Sequence, residues 1–218
     1  MTSIELYTLL KDNFNDLFSF DCFTEADTEP ISDYLIDSNL PFFMDSGSTK
    51  CVIIANDGTF VLKIPFTGYY DDDGDYVPYM SATAPMSPEW DYCAQESYYY
   101  YEAVYWDLQN YFAEEYIIGT INDYPIYCQQ YASCTNDNKL TLKQEKRARD
   151  YKTSSIERSE FCIKDSKWTA HFLECYGEEE YDKLIKFIRH YNINDLHCSN
   201  IGYINNFPVL IDYSGYNE

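Results

Sequence analysis

Near the C-terminus two short stretches hold the residue types that phosphoryl chemistry uses. They are Asn194-Asp195-Leu196-His197-Cys198-Ser199-Asn200-Ile201-Gly202 and Val209-Leu210-Ile211-Asp212-Tyr213-Ser214-Gly215. Asp195 stands five residues before Asn200, in a loop after a helical pattern, and Asp212 follows twelve residues later at the end of an apolar strand. Phosphoryl transfer to a hydroxyl asks for such a set. One carboxylate orients the hydroxyl and accepts its proton, while an amide and a second carboxylate hold Mg2+ against the phosphates. Asp195 is the candidate base, and Asn200 and Asp212 are the candidate metal ligands. The structural alternative is plain: Asp and Asn also cap helices and tie loop backbone, and Asp212 can simply end a strand.

A second constellation lies in the N-terminal half. Residues 1–138 contain three lysines (Lys11, Lys50, Lys63), no arginine and 24 acids. Two of these three cations fall in segments suited to phosphate. Asp45-Ser46-Gly47-Ser48-Thr49-Lys50-Cys51-Val52 reads as strand, loop and strand; it resembles the Gly-rich loop over ATP phosphates, with one Gly where a full loop has three, and that resemblance makes Gly47, Ser48 and Lys50 candidate nucleotide contacts. Lys63 sits inside the apolar run Val61-Leu62-Lys63-Ile64, an uncommon place for a surface lysine.

Taken in order, these motifs resemble the protein-kinase-like fold. Asp195 and Asn200 look like the catalytic-loop Asp and Asn, and Asp212-Tyr213-Ser214-Gly215 is similar to the D-F-G motif. The form D-L-H-x-x-N is closer to aminoglycoside-phosphotransferase-like kinases, with His197 where those enzymes often carry His. Ile193 stands where protein kinases place a His two residues before the catalytic Asp. The resemblance implies that Lys63 grips the α- and β-phosphates of ATP and pairs with a Glu from the following long helix. Glu96 and Glu102 are the candidates; six positions apart, they face different ways, and Glu96 is preferred. It also implies a hinge at Gln129–Tyr131 and ATP with Mg2+ as cofactors. The implied architecture is α+β: an antiparallel N-lobe sheet with one long helix, and a strongly truncated, mostly helical C-lobe. The sequence ends three residues after Gly215, so no activation segment or large helical C-lobe is expected. Reduced, Tyr- and Asp-rich kinase-like chains of this kind resemble proteins of phage and mobile elements.

The elements that must place these residues follow from periodicity. Residues 3–18 read as a helix (Leu6, Leu9, Leu10, Phe14, Leu17) with Thr2 and Glu5 as a capping box. A short helical piece lies near Ile31–Ile36. Strands are predicted at 42–44, 50–55 and 59–65, the last two joined by Asn56-Asp57-Gly58. Residues 67–88 read as an acidic loop, and 89–112 as a long helix opened by Pro88 and Glu89. Strands follow at 115–121 and 125–131, a basic exposed or mobile segment at 133–165, a helix at 178–191, and closing strands at 200–204 and 209–213. The expected domains are a helical extension over 1–40, an N-lobe over 41–132 and a minimal C-lobe over 133–218.

Composition bounds function. The formal net charge is −22, with 15 Lys+Arg against 37 Asp+Glu. Residues 139–218 are nearly balanced, so the excess sits in the first 138 residues. Such a field repels nucleic acid and anionic membranes and attracts basic partners. No apolar run nears the ~18 residues that a membrane span needs, and no basic start leads into an apolar block. A cytoplasmic location is therefore expected, in the host cell if the chain is phage encoded. Eight cysteines without C-x-x-C spacing read as reduced thiols. The 24 tyrosines are read as codon usage in the main, with Tyr98–Tyr101 left open. Two functions fit. One is a Mg2+/ATP-dependent phosphotransferase acting on a protein or small-molecule hydroxyl. The other is a non-enzymatic, polyanion-mimicking inhibitor of a host defence system, such as an anti-CRISPR protein, on a pseudokinase scaffold. Its partner would be a basic nucleic-acid-binding enzyme, and Asp71, Asp72, Asp73, Asp75, Glu114 and Glu115 its expected exposed contacts.

Overall fold

A computed structural model describes residues 1–20, 22–79, 91–154, 163, 165–194 and 196–214. The chain is mixed α+β and divides into two compact units, residues 1–98 with 114–131, and residues 99–113 with 132–218.

In the first unit α1 (Ser3–Phe14) starts at the predicted capping box: the Glu5 N–H donates to Thr2 Oγ1 at 3.2 Å and the Thr2 N–H to Glu5 Oε2 at 2.7 Å. A single 3-10 turn at 15–17 replaces the end of the predicted helix. After α2 (Glu29–Asp37) come β1 (Phe42–Ser46), β2 (Lys50–Ala55) and β3 (Phe60–Pro65). Next come β4 (Gly68–Tyr70), β5 (Tyr76–Pro78), α3 (Tyr92–Tyr105), β6 (Glu115–Ile121) and β7 (Tyr124–Gln130). The main sheet is antiparallel in the order β1-β2-β3-β7-β6. Residues 1–40 belong with this sheet: Leu6, Leu10, Phe18, Phe23, Ile31 and Leu35 are buried in one core with Cys51, Ile53, Leu62 and Ile64.

Strand alternation divides the sheet. Cys51, Ile53, Leu62, Ile64, Ile126 and Cys128 point into that core. The residues between them, including Lys50, Lys63, Tyr127 and Gln129, lie on the other face. The predicted acidic loop at 67–88 is corrected over its first part: residues 68–78 form the β4–β5 hairpin, with Tyr70 opposite Tyr76 and the acidic turn at its tip. Asp71 Oδ1 organises that tip, accepting from the Asp73 N–H at 3.1 Å and the Asp75 N–H at 2.9 Å. Gly58 closes the β2–β3 turn at φ +66°, with the Tyr131 ring 3.2 Å from where a Cβ would sit. Both facts favour glycine there. The helix start expected at Pro88 and Glu89 lies outside the described residues.

The second unit holds the C-terminal half of α3, then α4 (Leu142–Ser154), α5 (Ser166–Tyr176), α6 (Glu178–His190) and the hairpin β8 (Ile201–Ile204) with β9 (Phe207–Leu210). α4 realises the exposed basic helix allowed for 133–165. α6 has the acidic first turn and basic last turn that suit its dipole. α5 was not foreseen. Trp168 to Leu173 are all buried, so the segment lacks the one-sided period that marks a helix in sequence. Its cap is nonetheless legible, Asp165 Oδ1 accepting from Lys167 N–H at 2.7 Å and Trp168 N–H at 2.8 Å. Among the described residues no helix is long and apolar enough to cross a membrane.

Candidate functional site

The first unit buries a cluster of charge on the non-core face of its sheet. Lys50 opposes Pro65 and Val52 opposes Lys63 in the β2–β3 register, so the two lysines are diagonal neighbours on one face. α3 brings Glu96 to them. Lys50 Nζ pairs with Glu96 Oε1 and Lys63 Nζ with Glu96 Oε2. Lys63 Nζ also meets Glu115 Oε2 of β6 at 2.8 Å. The four side chains are between 0% and 7% exposed. Gln129 lies directly across from Glu115 and donates from Nε2 to Glu115 Oε2 at 3.1 Å. The other oxygen, Glu115 Oε1, is buried with no hydrogen-bond partner.

Beside this cluster Asp91 caps α3, its Oδ1 accepting from the Ala94 N–H at 2.8 Å and its Oδ2 from the Tyr127 hydroxyl at 2.6 Å. Burial pushes the Asp91 carboxyl up to about 6, against the lowering effect of the Tyr127 hydrogen bond. Burial likewise raises the Cys93 thiol and the Tyr127 phenol above their ordinary ranges. Asp91 and Cys93 went unremarked in the sequence. The signal for Asp91 was positional, an Asp ahead of a long apolar-aromatic helix.

Of the two glutamates proposed for Lys63, Glu96 is the one beside it. Glu102 falls in the second unit, where Glu102 Oε2 accepts from the Tyr191 hydroxyl at 2.6 Å. Glu115 is the correction. It was expected among exposed acids, yet it is 3% exposed and bound to Lys63. Strand alternation explains the difference, since Glu114 faces water and the next residue faces inward. Gly47 and Ser48 form the β1–β2 turn. The Gly47 N–H donates to the Lys50 carbonyl at 2.9 Å, and the Ser48 carbonyl accepts from the Tyr79 hydroxyl. A Cβ at Gly47 would meet only ordinary contact, Lys50 O at 3.7 Å, so the backbone itself does not demand glycine here. Gln129 is held by Glu115, and Tyr131 covers Gly58.

In the second unit the Asn200 carbonyl accepts from the Ile211 N–H at 3.0 Å and the Asp212 N–H at 3.3 Å, which sets the Asn200 and Asp212 backbones side by side. Asp212 Oδ1 accepts from the Ser214 hydroxyl at 3.3 Å. An apolar frame fixes this pair. Tyr213 is fully buried, donates to the Ala113 carbonyl at 3.0 Å and packs edge-on against Phe112, ring centroids 5.0 Å apart. Trp168 Nε1 donates to the Gly202 carbonyl at 3.1 Å. Asp195 and Gly215 lie outside the described residues. Among those described, no group of three or more His, Cys, Asp or Glu is arranged to hold a metal ion.

The sequence matches no protein-family model. Among curated proteins no match is found. A solved structure of the Rio2 kinase–ADP/Mg2+–phosphoaspartate complex from Chaetomium thermophilum aligns with 88% of this chain at 12% identity and a TM-score of 0.31. The alignment covers 54% of that kinase, so the chain spans about half its length.

Proposed function

We propose that the chain is a kinase-like protein that binds ATP with Mg2+ and transfers phosphate to a protein or small-molecule hydroxyl. One observation carries the reading. Two of the three cations in residues 1–138 are buried together on one sheet face and share a single glutamate from a helix. Burying four charges is a poor way to gain stability, since well-packed apolar residues of similar size do as well or better. Buried charge of this kind clusters at functional sites. Lys63 would hold the α- and β-phosphates, with Lys50, Gly47 and Ser48 beside them and Gln129–Tyr131 toward the base. Asn200 and Asp212 would hold the metal, which when bound supplies charge neutralisation at the phosphates. Asp195 would accept the hydroxyl proton of the acceptor.

Thermal denaturation with ATP and Mg2+ tests the binding step, because a ligand that binds only the folded state raises the melting temperature. The wild type should shift upward at millimolar ligand, and Asp212→Asn should lose the Mg2+-dependent part while melting normally without ligand. No shift in the wild type would end this reading.

A second reading is favoured by the β4–β5 hairpin, whose exposed Asp72, Asp73 and Asp75 present an acidic tip. There the kinase-like body would be a scaffold for an acidic surface that docks on a basic enzyme and blocks it, as a phage inhibitor of host defence would. Reversing Asp72, Asp73 and Asp75 to Lys, with Asp71 kept because it organises the turn, separates the two. Biological activity that survives this reversal but not Asp195→Ala belongs to a phosphotransferase, and the opposite pattern belongs to the acidic surface.

A further inference from the structure

Asp91 does more than cap a helix. A helix N-cap needs one side-chain oxygen, and Asp91 Oδ1 fills that role by accepting from the Ala94 N–H at 2.8 Å. The second oxygen, Oδ2, reaches across to the sheet and accepts from the Tyr127 hydroxyl at 2.6 Å. Both residues are 1% exposed. A buried carboxyl is costly wherever its hydrogen bonds are lost, so this bond holds its two elements in one arrangement. The register gives the bond its meaning. Tyr127 of β7 stands directly opposite Lys63 of β3, and side chains at such positions are close neighbours on one face. α3 meets this face twice. Asp91 ties its start to Tyr127, and five residues on, about 7.5 Å along a helix axis, Glu96 meets Lys63 and Lys50.

These contacts close a circuit within the first unit: Lys63 to Glu96, along α3 to Asp91, across to Tyr127, and through the β3–β7 ladder back to Lys63. One contact lets a helix pivot about it; two contacts a turn and more apart fix its rotation as well as its place. Resting on the phosphate-site reading above, we propose that Asp91 and Tyr127 are positioning residues: they lock α3 in the rotation that keeps Glu96 on Lys63, and so fix the ammonium group that takes the phosphates. Neither residue touches the nucleotide in this scheme. Their effect on Lys63 passes through Glu96.

Tyr127→Phe tests this, because it deletes one hydroxyl and keeps the ring. The full chain is labelled with 13C at the lysine ε-carbons. The Lys63 signal is then compared in wild type, Tyr127→Phe, Glu96→Gln and the double variant, without nucleotide. Thermal melts show which proteins are folded. Tyr127→Phe should displace the Lys63 signal, and the displacement should vanish in the Glu96→Gln background, because residues acting through one contact are not additive. Asp91→Asn reverses the bond to Tyr127 and serves as the second variant, with the same dependence on Glu96 expected. Titration calorimetry with Mg2+-ATP reads the consequence: Tyr127→Phe should weaken binding by about threefold or more, and add nothing to Glu96→Gln. A Lys63 signal unmoved by both variants, or moved equally with and without Glu96, overturns the proposal and leaves the phosphate site standing. Unchanged affinity in Tyr127→Phe has the same consequence. If Lys63 responds as expected but the wild type does not bind Mg2+-ATP, the coupling through Glu96 stands and the phosphate-site reading fails.

Discussion

Replacing Asp91 by Asn should gain stability on the wild type as pH rises from acid to neutral, because the folded chain holds this carboxyl at about 6 rather than at its ordinary 3.8. The cause is burial: the residue is 1% exposed, and its ionised form loses water that two hydrogen bonds replace only in part. The sign follows from proton counting. Between about pH 4 and pH 6 the unfolded chain has released this proton while the folded chain keeps it. Stability therefore falls as pH rises through that window and levels off above it. A displacement of about two units corresponds to roughly 3 kcal/mol in full, of which about 2 kcal/mol develops between pH 4.5 and pH 8. Asn keeps the Ala94 contact through Oδ1, while its Nδ2 reverses the bond to Tyr127 and deprives that hydroxyl of its acceptor, a cost that is the same at every pH. Urea unfolding of both proteins at pH 4.5, 6 and 8 gives the difference at each pH, and titrations common to both cancel. The variant should gain about 2 kcal/mol on the wild type across that range. A difference that stays constant with pH would refute the reasoning, since Asp91 would then ionise as an exposed carboxyl does.

Other outcomes follow from the same geometry. Glu96→Ala takes from the buried Lys50 and Lys63 the carboxylate that they share and should cost about 3–5 kcal/mol in urea unfolding; a loss under about 1 kcal/mol would mean that the cluster is open to water. Gly58→Ala forces a side chain into a left-handed turn against the Tyr131 ring and should cost about 1–2 kcal/mol, read as a lower unfolding midpoint at unchanged slope. Tyr191→Phe removes the hydroxyl bonded to Glu102 and should lower stability by roughly 1.5–3 kcal/mol. ATP affinity should be unchanged in that variant, and a changed affinity would reopen Glu102 as a site residue.

What could be read from the sequence was whatever stood out against a scarce background. Lys63 was visible because residues 1–138 hold three cations and this one sits in an apolar strand. Glu96 could be narrowed to two candidates, but helix phase alone could not choose between them, and the partners of each, Lys63 for Glu96 and Tyr191 for Glu102, decide it. Glu115 was misread because in an acidic chain one more Glu beside another carries no mark of its own. Only the β6–β7 register turns it inward. The hairpin at 68–78 was hidden by its Asp-rich tip, which masks the short Tyr-Tyr and Tyr-Val pairs on either side. α5 was hidden because a helix buried all round has no polar face to give it a period.

The charge scarcity that made Lys63 legible also shapes how the site can work. Lys50 and Lys63 are consumed in the buried cluster, so Lys11 is the remaining cation of residues 1–138 against an excess of exposed carboxylates. The surface field of that part of the chain therefore opposes every anionic ligand over a Debye length of about 8–10 Å at physiological salt. A nucleotide reaching Lys63 gains only the short-range hydrogen bonds of the ammonium group, with no help from long-range attraction. Such a field favours a ligand that arrives with its charge compensated. An acidic surface and the proposed phosphate role of Lys63 are thus compatible in one chain: the surface field opposes free polyanions, nucleic acid included, without bearing on a small, charge-compensated ligand.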